Sequence, residues 1–255
     1  MSGRAYRAVL FDLFDTLVRF DRERLPAVAV NGRVVRSTVG ELHPILTTWA
    51  PGVTLEALYN ALLASWQEAE RLRAIDHREV AAPERFACLL RYLGLDPGVC
   101  PGDVVHQLVE THRRGLSRAA EFPAPHGQLL VDLAGRYRLA VVSNFDYTPT
   151  AIGILEAAGV ADLFEAVVVS DAVGWRKPAP AIFEVALNRL GLSPTEALFV
   201  GDRADIDVLG AQRIGMHAVW LNPGGGALPS GVAPPEFEIR DLGELRGILG
   251  GQRRI

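Results

Sequence analysis

Short apolar runs that do not alternate with polar residues constrain this 255-residue chain more than any other feature. They lie at 8–11, 139–142, 166–169, 198–200 and 218–221, with a weaker one at 237–239, and are rich in Val, Leu, Ala and Phe. Each is too short for a helix. A strand with one wet face would alternate, so unbroken runs of this length read as strands buried on both faces of a parallel sheet. Helix-length segments separate them, among them 178–190, closed by Gly191, and 206–214, closed by Gly215. Gly just past the last turn is a favoured stop because the left-handed conformation costs it nothing. Strand–helix alternation with right-handed crossovers predicts an α/β fold with a doubly wound parallel sheet.

Residues 18–120 break that rhythm. The stretch Ala27-Val-Ala-Val-Asn-Gly-Arg-Val-Val35 reads as a hairpin, with Asn31-Gly32 supplying the two positive-φ positions of a type I′ turn. Amphipathic helical stripes follow: Leu55, Leu58, Leu62 and Trp66; then Phe86, Leu89, Leu90 and Leu93; then Val105, Leu108, Val109 and His112. His77-Arg78-Glu79 reads as the boundary between two of these helices. The chain therefore divides into an α/β core at 1–17 and 121–255 and a mostly helical insertion at 18–120, with its hairpin near 27–36. At about 150 residues per domain, one domain with an insertion fits the length.

Composition narrows the function. A net charge of −4 with scattered arginines offers no field for nucleic acid. No apolar run approaches the ~20 residues that span a bilayer, so no membrane is expected. The N-terminus enters a strand without a small-residue cleavage site, and Cys88 and Cys100 lack metal-like spacing; the chain reads as cytoplasmic. Of 26 basic residues only Lys177 is a lysine. A compact ammonium kept where arginine serves everywhere else suggests a tight anionic site.

Ligands of open α/β sheets bind beyond the carboxyl ends of the strands. Here those ends carry Asp12, Asp15 and Thr16; Ser143, Asn144 and Asp146; and Gly201, Asp202, Asp205 and Asp207, while Lys177 follows a fourth strand. Any one cluster could simply cap a helix. Four of them converging, with the sole lysine among them, are hard to explain as capping: a carboxylate there can be a nucleophile or a metal ligand, two carboxylates can hold a hard cation, and a hydroxyl with a lysine can clamp an anion.

In this order and spacing, Phe11-Asp12-Leu-Phe-Asp-Thr16-Leu17, Ser143, Lys177-Pro178 and Gly201-Asp202…Asp207 resemble the four motifs of the haloacid dehalogenase (HAD) superfamily, over nearly the full chain. The resemblance implies a Rossmann-like core and a cap domain inserted between the first two motifs. It also implies an aspartyl-enzyme intermediate. Asp12 would be the nucleophile, with Thr16, Ser143 and Lys177 as catalytic partners and Asn144 and Phe14 against the substrate. Mg2+ would be held by Asp12, Asp202 and the Phe14 backbone carbonyl, with Asp207 behind them. The expected partner is a small, phosphorylated metabolite. Asp146 reads as the start of the next helix.

One position departs from the superfamily. Phosphatases of this kind carry a second Asp two residues after the nucleophile, which protonates the leaving alkoxide; here that position is Phe14. Asp15 comes one residue late. Three readings follow: a phosphatase whose leaving groups need little protonation or which takes its acid from the cap; a metal-independent 2-haloacid dehalogenase, since halide leaves without a proton; and a weakly active or non-catalytic protein that binds a phosphometabolite or a partner, as some REG-2-like members suggest. Asp202 favours the first, because two carboxylates without a cation repel each other. Arg33 and Arg36 read as solvated hairpin edges, Trp175 as cover for the lysine stem or a stacking platform, and Asn222-Pro-Gly-Gly-Gly226 as a flexible turn.

Overall fold

The computed structural model describes residues 6–250. By their internal contacts these divide into two units, 6–19 with 122–250 and 20–121. Strand β1, Ala8–Phe11, is entirely buried, and the chain then leaves the first unit through β2, Arg19–Phe20.

The inserted unit holds a hairpin, β3 (Ala27–Val30) with β4 (Arg33–Arg36), in antiparallel register. Asn31 and Gly32 take φ of 50° and 72°, the left-handed pair of a type I′ turn. Arg36 donates to Glu23 and to the Leu25 carbonyl. Four helices follow: α1 (Val39–Thr47), α2 (Leu55–Asp76), α3 (Ala82–Tyr92) and α4 (Gly102–Ala119). Helix α1 was not anticipated; Pro44 sits inside it and no side chain caps its start, so the usual signals are missing. Of the expected stripes, Leu58, Leu62, Phe86, Leu89, Leu90, Leu108 and Val109 are buried. Trp66 is 52% exposed and Val104, not Val105, turns fully inward. The stripe on α2 is narrower than the sequence pattern suggested. His77 ends α2 at φ 64°, and Glu79 just beyond it is buried against Arg73 at 2.7 Å.

The chain returns through β5, Ala120–Glu121, to α5 (Ala124–Ala134), β6 (Arg138–Ser143), α6 (Thr148–Ala157), β7 (Phe164–Val169), α7 (Ser170–Val173), α8 (Pro180–Leu190) and β8 (Ala197–Gly201). After α9 (Leu209–Arg213) come β9 (His217–Leu221), β10 (Phe237–Ile239) and α10 (Leu245–Gly250). The sheet runs β10-β9-β8-β1-β6-β7, and its pairs are parallel. On one face Leu10, Val142 and Phe199 pack against Ile182, Phe183 and Leu187 of α8; on the other, Val9, Phe11 and Val141 are equally buried. That double burial is why the strands do not alternate.

Two boundaries differ from expectation. Helix α8 starts at Pro180 rather than 178, because Pro at the first turn leaves no orphan N–H, and it ends at Gly191 with φ 57°. The single helix expected at 206–214 is a π-helical turn, Ala204–Val208, continued by α9. The Asp207 carboxylate turns back to accept the Arg203 N–H at 3.0 Å, where a regular first turn would offer that group to solvent. Among the described residues no helix is long and apolar enough to cross a membrane.

Candidate active site

Strand order reverses at β1: the chain winds out to β6 and β7, then returns to β8, β9 and β10 on the other side. Such a reversal opens a crevice at the carboxyl ends of the flanking strands. Asp12 follows β1 there, its N–H bonded to the Val200 carbonyl at 2.9 Å. Ser143 ends β6, and Asp202 follows β8.

Lys177 reaches the same point from the loop between α7 and α8. Its Nζ lies 2.5 Å from Asp12 Oδ1 and 2.8 Å from Asp207 Oδ1, and the residue is 3% exposed. The loop is held by Asn144, whose Nδ2 donates to the Lys177 carbonyl at 2.9 Å while its Oδ1 accepts the Lys177 N–H at 2.7 Å. The Lys177–Pro178 peptide is cis. Phe199 rather than Trp175 lies beneath the ammonium, 5.2 Å from ring centre to Nζ; Trp175 is 38% exposed.

Carboxylate oxygens of Asp12, Asp202 and Asp207 lie within 4.8 Å of one another. Three carboxylates against one ammonium leave two negative charges, and the electrostatics register the excess. Burial, with repulsion from Asp12, Asp207 and Asp15, raises the Asp202 pKa to about 7 despite the pull of Lys177. Burial also raises Asp207, to about 6, against the pull of Lys177. For Lys177 burial opposes the charge, but Asp12 and Asp207 outweigh it and lift the pKa above the usual lysine value. An all-oxygen donor set with two uncancelled charges fits a hard divalent cation such as Mg2+.

Backbone geometry around this cluster is tightly fixed. The peptide between Asp202 and Arg203 is gripped at both ends: Trp220 Nε1–H donates to its carbonyl at 2.9 Å, and Asp207 Oδ2 accepts its N–H at 3.0 Å. A Cβ on Gly201 would lie 2.3 Å from Asp207 Oδ2, so only glycine fits before Asp202. Thr16 Oγ1 faces Asp202 Oδ1 at 3.4 Å. Ser143 is 1% exposed, and its buried hydroxyl has no hydrogen-bond partner among the described residues.

The remaining expected residues fall as follows. Asn144 spends its amide on the Lys177 backbone, so its geometry is that of a brace on the lysine loop rather than of an anion ligand. Phe14 turns its half-buried ring onto Phe145, with ring centres 4.8 Å apart. Asp15 is exposed and takes φ 59°, its N–H bonded to the Val18 carbonyl. Asp146 is buried just before α6, whose N-cap position is Tyr147. The Asn222 turn is pinned rather than loose: Asn222 bonds both the carbonyl and the N–H of Gly226 and also Glu238. Sequence reasoning missed Trp220, Phe145 and Ser170, whose hydroxyl accepts the Phe145 N–H and donates to the Phe145 carbonyl. No local signal marks them, since each acts across a gap of 18 or more residues.

A family model of haloacid dehalogenase-like hydrolases matches residues 6–215. The glyceraldehyde 3-phosphate phosphatase of Methanopyrus kandleri is 31% identical over 86% of this chain and 84% of its own. That of Pyrococcus abyssi is 33% identical over 86% and 82%. Among solved structures, a 2-haloacid dehalogenase from Pseudomonas syringae pv. tomato aligns with TM-score 0.71 and 25% identity, covering 96% of this chain and 98% of its own. A HAD phosphatase from Thermococcus onnurineus aligns with TM-score 0.66 and 26% identity, covering 97% and 100%.

Proposed function

We propose that this chain, which belongs to the haloacid dehalogenase-like hydrolase family, is a magnesium-dependent phosphatase that passes a phosphoryl group from a small metabolite to Asp12 and then to water. The observation that carries the reading is the charge of the cluster: three carboxylates crowd within 4.8 Å, with one ammonium among them. The two uncancelled charges match one divalent cation.

Asp12 and Asp202 would hold Mg2+, with the Phe14 carbonyl as a further oxygen. The ion would neutralise nucleophile and phosphate so that the two anions can meet. Lys177 holds Asp12 in place and, with the unpartnered Ser143 hydroxyl, would take the phosphate oxygens as charge spreads over them. Asp207 fixes the ammonium, Asn144 fixes the loop beneath it, and Thr16 steadies Asp202. The similarity to two glyceraldehyde 3-phosphate phosphatases supports a small phosphorylated substrate.

Carbon–halogen hydrolysis would use the same nucleophile and draws on Phe14 and on the likeness to a 2-haloacid dehalogenase. The acidic excess speaks against it, because a departing halide gains nothing from two uncancelled charges. Hydrolysis of p-nitrophenyl phosphate with Mg2+ and with EDTA, for the wild type and Asp12→Asn, separates the two. Turnover abolished by chelation and by the substitution is the expected result. Halide release from a 2-haloacid in EDTA, with no phosphate release in Mg2+, would replace the phosphatase by the dehalogenase.

A further inference from the structure

The position two residues beyond the nucleophile is filled, and what fills it cannot carry a proton. Phe14 is half-buried, and its ring lies on Phe145 at 4.8 Å with a 40° tilt. Phe145 is itself held: Ser170 Oγ, fully buried, accepts its N–H at 2.9 Å and donates to its carbonyl at 3.1 Å. The Asp171 N–H reaches the same carbonyl at 3.2 Å. The pair is therefore a fixed aromatic wall two residues from Asp12 on one strand end and two residues from Ser143 on the next.

Three of the ionisable groups around the nucleophile, Lys177, Asp207 and Asp202, are already engaged. Lys177 is shared between Asp12 and Asp207, and Asp207 also takes the Arg203 N–H. Asp202 receives Thr16 and is a proposed cation ligand. Asp15, next to Phe14, is exposed, with its backbone turned through φ 59°.

Resting on the phosphatase reading, we infer that the substrates of this site are phosphates whose leaving oxygen departs as a stable anion: acyl phosphates and aryl or enol phosphates, rather than phosphates of simple alcohols. In the first step an Asp12 oxygen bonds to phosphorus. The bond from phosphorus to the leaving oxygen breaks, and its electron pair stays on that oxygen as carboxylate, phenolate or enolate, with no proton required. In the second, water bonds to phosphorus, the bond to Asp12 breaks to restore its carboxylate, and both water protons leave with the phosphate or pass to solvent. Carboxylic acids and phenols have pKa values of ~4 and ~10, whereas an alcohol, like water, holds its proton far more tightly, so an alkoxide is a much poorer leaving group. Without an acid, the alkoxide route forgoes the roughly 10²–10⁴-fold that general acid catalysis supplies.

The test is the leaving-group dependence of kcat/KM, which reports the first irreversible step. Ring-substituted phenyl phosphates have nearly one shape and differ mainly in leaving-group acidity. The expected result is a fall of about a hundredfold or more from 4-nitrophenyl to unsubstituted phenyl phosphate, with acetyl phosphate fast and glycerol phosphate slow. Phe14→Asp should compress the ratio of aryl to alkyl rates at least about tenfold by restoring a proton donor. A flat series in the wild type, or a selective loss of glycerol phosphate hydrolysis in Asp15→Asn, would show that a proton is delivered and overturn the inference. No hydrolysis of any phosphate would instead remove the phosphatase reading on which it rests.

Discussion

Lys177 shows at the scale of one residue why the chain keeps a lysine. Its ammonium fills a buried gap bounded by carboxylates at 2.5 and 2.8 Å and by the Phe199 ring. Guanidinium is wider and planar, so Lys177→Arg must push one carboxylate aside. Lys177→Met keeps the stem and leaves the acids unpaired, which costs about 3–5 kcal/mol of stability at neutral pH, measured by urea unfolding. The raised pKa values of Asp202 and Asp207, about 7 and about 6, set a pH dependence of known sign. Both groups hold protons in the folded protein that the unfolded chain releases near pH 4. Metal-free stability from these groups is thus greatest below that pH and falls as pH rises through 6 and 7, by at most about 1.4 kcal/mol per unit for each group. Thermal melts in EDTA should show this decline, and Mg2+ should raise Tm more at pH 8 than at pH 5. An Mg2+ effect independent of pH would contradict the carboxylate assignment.

At the scale of elements, the site depends on strand β9, which supplies no group to the acidic cluster. Trp220 holds the carbonyl of the peptide that carries Asp202, and Asp207 holds its N–H. Trp220→Phe keeps an aromatic ring and removes one neutral hydrogen bond, a loss of about 1 kcal/mol. If that bond aims Asp202, the Mg2+ concentration for half-maximal Tm shift should rise about three- to tenfold. A lower Tm with an unchanged Mg2+ midpoint would reduce Trp220 to packing. Gly201→Ala acts on the neighbouring contact: its Cβ would stand 2.3 Å from Asp207 Oδ2, so the carboxylate must move. The expected outcome is loss of most turnover and about 1–3 kcal/mol of stability.

At the scale of the whole molecule, the two units should answer acid in opposite ways. In the inserted unit His112 is buried, its Nδ1 2.7 Å from Thr38 Oγ1. Burial first, then the charges of Arg113 and Arg85, hold its pKa well below the usual histidine value. The unfolded chain takes up a proton near pH 6.5 that the folded unit refuses, so stability there is lost as pH falls below that point. The metal-free core gains stability over the same range. Hydrogen exchange from pH 7.5 to 5 should show protection falling in α1 and α4 while it rises around β1 and β8. His112→Gln should flatten the first trend and leave the second. Parallel trends in both units would mean that other groups dominate.

Much of the core could be read from residues alone, because its determinants are local. A run such as Ala8–Phe11 is apolar without alternation only where both faces are covered, and Gly191 ends α8 because it can take φ 57°. Asp12, Ser143 and Asp202 stand at strand ends in the sequence and Lys177 in a segment some residues after another strand, and the fold places Asp12, Lys177, Asp202 and Asp207 within ångströms of each other. Other features needed the third dimension. The sequence could not tell that Asn144 braces Lys177, that Trp220 grips the Asp202 peptide, or that Phe14 rests on Phe145, since each contact spans 18 to 131 residues with no periodicity to mark it. It could not show that 204–208 forms a π turn, because a carboxylate from the turn itself takes the first N–H. Local propensity and burial pattern fixed which elements form. The way they pack decided which side chains share an electrostatic field, and with it the charge that the site must balance.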